Sequence, residues 1–282
     1  MKLVNIMPAR NEDWILGFSA RALLRWCNEI VILDHASTDG TPEIIRQIAA
    51  ENPGRVHSLR RDGGNWAEME HRQALLEKAR DVGATHIATV DADEALAADI
   101  VPLVRERIEA LEPGRFLGMP MRNLHRSLYV YRSDASPFGG RAGTMLAFAD
   151  APELCWRNRN GEEHHQRSPL GAMRGGLMPS SGLLHFQFAS WRRLLAKHAW
   201  YKMMERLKYP AKDVVDIDVM YNLAPNERGL QTTVVPLEWV EYVDIWDCID
   251  LEREPWQEAE CRRLIEEHGR AAFDGLELFG IV

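Results

Sequence analysis

Glu29-Ile30-Val31-Ile32-Leu33-Asp34-His35-Ala36-Ser37-Thr38-Asp39-Gly40-Thr41-Pro42-Glu43 decides the fold class within one short stretch. Five residues of mostly β-branched apolar character break off into a polar turn, and Thr41-Pro42-Glu43 then opens a helix, with proline early where its missing N–H leaves no bond unmade. Working outward, Leu3-Val4-Asn5-Ile6-Met7 is a second apolar run, ended by Pro8 and followed by a helical pattern from Asp13 to about Trp26. Val56-His57-Ser58-Leu59 precedes a helix from about Ala67 to Val82, and His86-Ile87-Ala88-Thr89-Val90 ends in Asp91-Ala92-Asp93-Glu94. Strands alternating with helices predict an α/β fold, with a mostly parallel sheet and helices on both faces.

In such sheets ligands collect beyond the carboxyl ends of the strands. Those ends are Pro8-Ala9-Arg10-Asn11-Glu12, Asp34-His35 and Asp91-Ala92-Asp93, all polar. Residues two apart on an extended segment project to one side, so Asp91 and Asp93 are expected to face one hard cation, Mg²⁺ or Mn²⁺. The competing use of a D-x-D is structural, with Asp93 capping a helix and Asp91 closing a turn. Its position at the end of a buried strand, beside two other polar strand ends, favours the cation.

These segments resemble family 2 glycosyltransferases. Val31 to Thr41 is similar to that family's D-D-x-S-x-D-G-T signature after the second strand, Pro8-Ala9-Arg10-Asn11-Glu12 to its P-x-x-N-E, Gly64-Asn65 with His71-Arg72-Gln73 to its N-x-G…A-R-N, and Asp91-Ala92-Asp93 to its D-x-D. The resemblance implies a GT-A fold, a nucleoside-diphosphate-sugar donor of UDP or GDP type and a divalent cation. By position, Ala9, Asn11 and Glu12 would line the nucleotide pocket, Asp34 would contact the base and Arg72 would steady base or phosphates. Asp91 would reach the ribose or a metal-bound water, and Asp93 would ligate the cation. His35 and His71 depart from the pattern, standing where the family usually has Asp and Ala. Two rival enzyme classes fit less well. A cytidylyltransferase also begins with P-A-R but needs a Lys or Arg soon after, where this chain has Glu12-Asp13-Trp14, and a D-x-D-x-T phosphatase needs a Thr that is missing after Glu94. A non-catalytic nucleotide-sugar-binding module of the same fold is the alternative outside enzymes.

Residues 1–115 are thus read as the nucleotide-sugar half and 116–282 as the acceptor side. Strand-like runs fall at Phe116–Met121, Leu128–Tyr131 and Thr144–Ala149, before a long glycine-rich polar loop from Cys155 to Leu183. Within that loop Glu163 and Glu162 are the leading candidates for the general base, ahead of Asp134, Asp150 and Glu153; a plain solvated loop is the other reading. Leu183-Leu184-His185-Phe186-Gln187-Phe188 is an apolar strand with one histidine. A lone histidine there is more often a hydrogen-bonded core residue, but the stretch His185…Ser190…Lys197 resembles an element of one bacterial branch of the family, which implies His185 as third ligand to the cation. The processive-synthase element Q-x-x-R-W is absent, so transfer of one sugar, with inversion, to a saccharide or lipid-linked acceptor is expected.

The chain has 282 residues and a net charge of −8, which argues against nucleic acid as partner. No apolar run approaches the roughly 18 residues needed to span a bilayer, the N-terminal run is short for a signal peptide, and four scattered cysteines read as reduced thiols of a cytoplasmic protein. Between Trp191 and Lys212, however, seven Lys and Arg face Glu205 alone. Ser190 is placed to cap this helix, and Lys197, Tyr201 and Lys202 lie close enough along it to act on one diphosphate. A solvated face, or peripheral contact with an anionic inner membrane face, is the competing use. From Asp213 onward 17 Asp and Glu oppose five Arg, which allows the tail to pack back onto the basic helix or onto that of a second subunit.

Overall fold

The computed structural model describes residues 1–64, 66–157, 167–178, 181–241 and 243–282, and for 141, 142, 243 and 244 the backbone alone. It divides into two compact units interleaved along the chain. The first comprises Met1–Arg122, Gly140–His185 and Val235–Asp250, the second Asn123–Gly139, Phe186–Val234 and Leu251–Val282. The boundary therefore does not fall at residue 115, because later strands return to complete the first unit's sheet.

In the first unit β1 (Leu3–Ala9) leads through α1 (Leu16–Leu23) to β2 (Glu29–His35), and α2 (Thr41–Glu51) leads to β3 (Val56–Arg61). Then come α3 (Glu68–Asp81), β4 (His86–Ala88), β5 (Glu94–Leu96), α4 (Val101–Glu109) and β6 (Arg115–Asn123). Strands β3, β2, β1 and β4 lie side by side and parallel. Every residue of β1 is buried, as expected of a strand covered on both faces, and α3 packs Met69, Leu75, Leu76 and Ala79 against Val4, Ile6, Val31 and Leu33.

The second half of the sheet is not parallel. With β7 (Val130–Arg132) assigned to the second unit, β8 (Arg141–Ala149), β9 (Met173–Leu177) and β10 (Leu183–His185) join the first, giving the order β3-β2-β1-β4-β8-β6-β10-β5 with β9 on β6. Strand β8 runs antiparallel to β4 and β6, and β10 antiparallel to β5. The result is a mixed sheet, and β9 lies inside the stretch read from sequence as loop. The sheet also curls. Four strand spacings, about 19 Å if flat, separate β4 from β5, yet residues 89–93 connect them and include a tight turn closed by Glu94 N–H donating to the Asp91 carbonyl at 3.1 Å.

One side chain decides where β4 stops. Asn5, buried in β1, donates from Nδ2 to the Val90 carbonyl at 3.0 Å and accepts from Val90 N–H at 2.9 Å. That amide replaces the ladder partners Val90 would otherwise need, so β4 ends at Ala88, two residues earlier than the apolar run suggests, and the chain peels away to present Asp91 and Asp93.

The second unit packs α5 (Trp191–Lys208) against α6 (Val214–Tyr221) and α7 (Trp256–His268), around Ala199, Met203, Ile217, Cys261, Leu264 and Phe273. A two-stranded ribbon, β7 with β11 (Thr232–Val234), completes it. Ser190 precedes α5 as expected but does not cap it; its hydroxyl donates to the Leu251 carbonyl at 3.0 Å. The acidic tail does fold back on the basic helix. Glu258 receives both ends of the Arg192 guanidinium, at 2.6 and 2.7 Å, and Asp218 pairs with Lys202 at 2.8 Å. Among the described residues no helix is long and apolar enough to cross a membrane.

Candidate active site

The loops leaving β1 and β2 are stitched into one surface. Ala9 is buried and registers with Asp34 across the two strands. Asn11 holds a left-handed backbone, φ 54°, and its N–H donates to Ser37 Oγ at 2.9 Å while its Oδ1 accepts from Thr38 N–H at 2.7 Å. Glu12 N–H donates to Thr41 Oγ1 at 2.8 Å, and its carboxylate accepts from Trp14 Nε1 at 2.7 Å. Asp13 accepts from Gly40 N–H, and Asp39 from Thr41 N–H. Asn11 and Glu12 therefore shape this strand end as much as they line it. Asp34 is buried, accepts from Ser37 N–H at 3.2 Å and is paired with Arg60, a partner the sequence did not single out.

Beside Asp34 stands an aromatic group formed by His35, Trp66 and His71. His35 stacks on Trp66 with centroids 5.5 Å apart and meets the edge of His71 at 4.6 Å. Both Nδ1 atoms are buried without a hydrogen-bond partner. Burial, with repulsion from His35 and Arg61, pulls His71 down to about 4. Below its ordinary 6.5 the unfolded chain takes up this proton while the folded chain refuses it. Stability is thus expected to fall as pH drops from about 6.5 to about 4 and to level off below, by up to about 3 kcal/mol. Urea denaturation at pH 7 and pH 4.5 checks this; the pH difference should shrink in His71→Gln.

Arg72, on α3 and almost wholly buried, donates from Nε to Glu68 Oε1 at 2.9 Å, and its Nη2 reaches both oxygens of Asp91 at 3.2 and 3.3 Å. Its Nη1 is buried without a hydrogen-bond partner. Burial opposes its charge, but Asp91 and Glu68 outweigh that and raise its pKa. The i,i+4 spacing of Glu68 and Arg72 was visible in the sequence; the pairing with Asp91 was not.

Asp91 and Asp93 do not face the same way. The expectation of one shared cation assumed an extended segment, whereas the Asp91–Glu94 turn sends Asp91 to Arg72, with Arg167 3.7 Å away. In this structure the Asp91 carboxylate is engaged by Arg72. Asp93 goes instead to His185, Oδ2 to Nε2 at 3.4 Å. The sheet register brings them together, since β10 places His185 opposite Glu94, the residue after Asp93. No three His, Cys, Asp or Glu converge as a metal cluster among the described residues. Two donors of this kind nevertheless suit a divalent cation that keeps positions open for phosphate oxygens. The surrounding charges agree: Glu68, Asp91, Asp93 and Glu94 outnumber Arg72 and Arg167 by two.

Other candidates are placed differently. Glu162 and Glu163 lie outside the described residues. Asp150 is held by both ends of Arg80, at 2.8 Å each, beside a cavity of about 700 Å³ at the amino end of β4, away from the carboxylates. Asp134, in the second unit, is kept near 2 by Arg132 and Ser136 against the effect of burial, which leaves it a poor base. Lys202, read as a diphosphate contact, is fully buried, its ammonium given to Asp218, Asn222 Oδ1 at 2.7 Å and the Glu277 carbonyl at 2.6 Å. Lys197 donates to Gln187 at 3.2 Å and lies over the Tyr201 ring, all within the second unit.

Comparison with known structures gives distant likenesses. S. aureus TarS shares 13% identity over 96% of this chain and 55% of its own, TM-score 0.46, and its UDP complex of residues 1–349 shares 16% over 53% and 47%, TM-score 0.40. Glucosyl-3-phosphoglycerate synthase from Mycobacterium tuberculosis, with Mg²⁺ and UDP, shares 18% over 44% of each chain, TM-score 0.30. This chain thus spans about half the length of these proteins. No curated protein sequence matches. The model of the family described as "Glycosyl transferase family 2" matches residues 5–163, more than half of the chain and all four motifs. With the mixed, curled sheet of a GT-A fold around those motifs, the chain belongs to glycosyl transferase family 2.

Proposed function

We propose that this chain transfers one sugar from a nucleoside-diphosphate-sugar, of UDP or GDP type, to an acceptor hydroxyl, with inversion at the anomeric carbon. The observation that carries the reading is the meeting of Asp93 and His185 beside the Arg72–Asp91 pair, at the carboxyl end of the parallel strands. Asp34 and the His35–Trp66–His71 group would receive the nucleobase, the Asn11–Ser37–Thr38 lacing would hold that wall rigid, and Arg72 would orient Asp91 toward the ribose, its charge opposing the burial that raises the Asp91 pKa. Asp93 and His185 would hold Mg²⁺ or Mn²⁺, which when bound supplies charge neutralisation for the departing diphosphate. Glu163 or Glu162 would take the acceptor proton as the hydroxyl attacks opposite the leaving group. Lys197 and Tyr201 stand as sequence-derived candidates for the diphosphate charge. A saccharide or lipid-linked molecule is the proposed acceptor.

A cytidylyltransferase is disfavoured because Glu12 stands where a triphosphate-binding cation is needed. A non-catalytic binding module predicts nucleotide binding without turnover. Thermal shift with UDP and GDP, each with and without Mn²⁺, and nucleotide release from matching sugar donors test both. Metal-dependent stabilisation with turnover supports the transferase; stabilisation without turnover on any donor favours the module; neither effect overturns the reading.

A further inference from the structure

Arg167 lies beyond the matched segment, in a stretch with no motif, yet all three of its guanidinium nitrogens are hydrogen-bonded. Its Nε donates to the Met145 carbonyl at 2.9 Å and its Nη1 to Glu94 Oε1 at 2.7 Å, while Nη2 serves the other Glu94 oxygen and the Thr89 carbonyl. Burial opposes its charge, but Glu94 and Asp91 raise its pKa, so the guanidinium is permanently ionised. Glu94 is only 3% exposed, and its Oε2 also accepts from Asp91 N–H at 3.0 Å. One fork therefore fastens the start of β5 to β8 and to the chain leaving β4.

Both proposed cation donors descend from the residue that Arg167 holds. Asp93 precedes Glu94 in the same turn, and His185 faces Glu94 across the β10–β5 ladder. We propose that Arg167 is a positioning residue: by fixing Glu94 it sets the Asp91–Glu94 turn so that Asp93 meets His185 while Asp91 stays on Arg72. The inference rests on the donor site proposed above. Without Arg167 the buried Glu94 carboxylate loses the fork that holds both its oxygens, and the start of β5 loses its ties to the Met145 and Thr89 carbonyls, so the turn is free to shift. A lysine keeps the charge but presents no planar fork for Glu94 and two carbonyls together.

The test is Mn²⁺ binding, followed by the loss of the free-ion EPR signal, together with melting temperature, in Arg167→Lys, in the paired Glu94→Gln/Arg167→Met variant and in Asp93→Ala. Outer partners of metal ligands typically contribute about 10- to 100-fold in affinity, and a weakening of that size is expected in Arg167→Lys while the protein remains folded. The paired variant removes the buried charges together, so it should melt close to the parent yet still bind Mn²⁺ weakly. Parent-like Mn²⁺ affinity in either folded variant would reduce Arg167 to a structural role and overturn the inference. Parent-like affinity in Asp93→Ala would instead overturn the cation site itself, which separates the two failures.

Discussion

Asp93→Ala is expected to lose about three orders of magnitude in sugar transfer while melting within a few degrees of the parent. His185→Ala should follow in the same direction. Stabilising the charge of a leaving diphosphate is worth several kcal/mol, and each 1.4 kcal/mol is about tenfold in rate. Both side chains stand at the open end of the sheet, partly exposed at 17% and 15%, so neither truncation leaves a buried charge behind. Asp91→Asn should behave differently. Asp91 is the counter-charge of a buried Arg72, so its loss should weaken nucleotide binding and also lower the melting temperature. The assay is initial rates of nucleoside-diphosphate release across Mn²⁺ concentrations. Activity within threefold of the parent in Asp93→Ala would sink the assignment.

Lys202→Met should cost about 3–5 kcal/mol of stability, because it leaves the Asp218 carboxylate and the Glu277 carbonyl without their shared donor. For a chain of this size that is roughly 10 °C in melting temperature. The ammonium is fully buried and also rests 4.2 Å from the Phe279 ring, tying α5 to the C-terminal segment. Burial pulls its pKa down, with Asp218 opposing. Assayed well below its melting point, the variant should bind donor with an unchanged KM. A tenfold rise in KM with unaltered melting would return Lys202 to the diphosphate.

The sequence reading succeeded where local pattern and fold agree. Strands β1 and β2, helices α2 and α3, and the position of the strand-end motifs were legible because apolar runs, Pro42 and Gly40 act over a few residues. It missed whatever depends on partners far along the chain. The true end of β4 is set by Asn5, some 85 positions earlier. The divergence of Asp91 from Asp93 follows from a turn that D-x-D spacing cannot reveal. The buried face of α5 includes Arg193, His198 and Lys202, so its cations read as a solvated or ligand-facing surface. The Asp93–His185 meeting depends on two three-residue strands whose register no periodicity encodes; only family resemblance pointed to His185. Arg167 had no local signal at all.

The interleaving of the first unit bears on how the chain is made. When residues 1–122 have left the ribosome, β1 to β4 are complete, but β8, which covers the free edge of β4, is still to come. The nascent chain must therefore carry an unpaired, apolar strand edge through part of its synthesis, a state open to wrong pairing with other chains. Fragments ending near residue 122 should aggregate on expression, and fragments extended through His185 should resist it, a solubility comparison that needs no substrate.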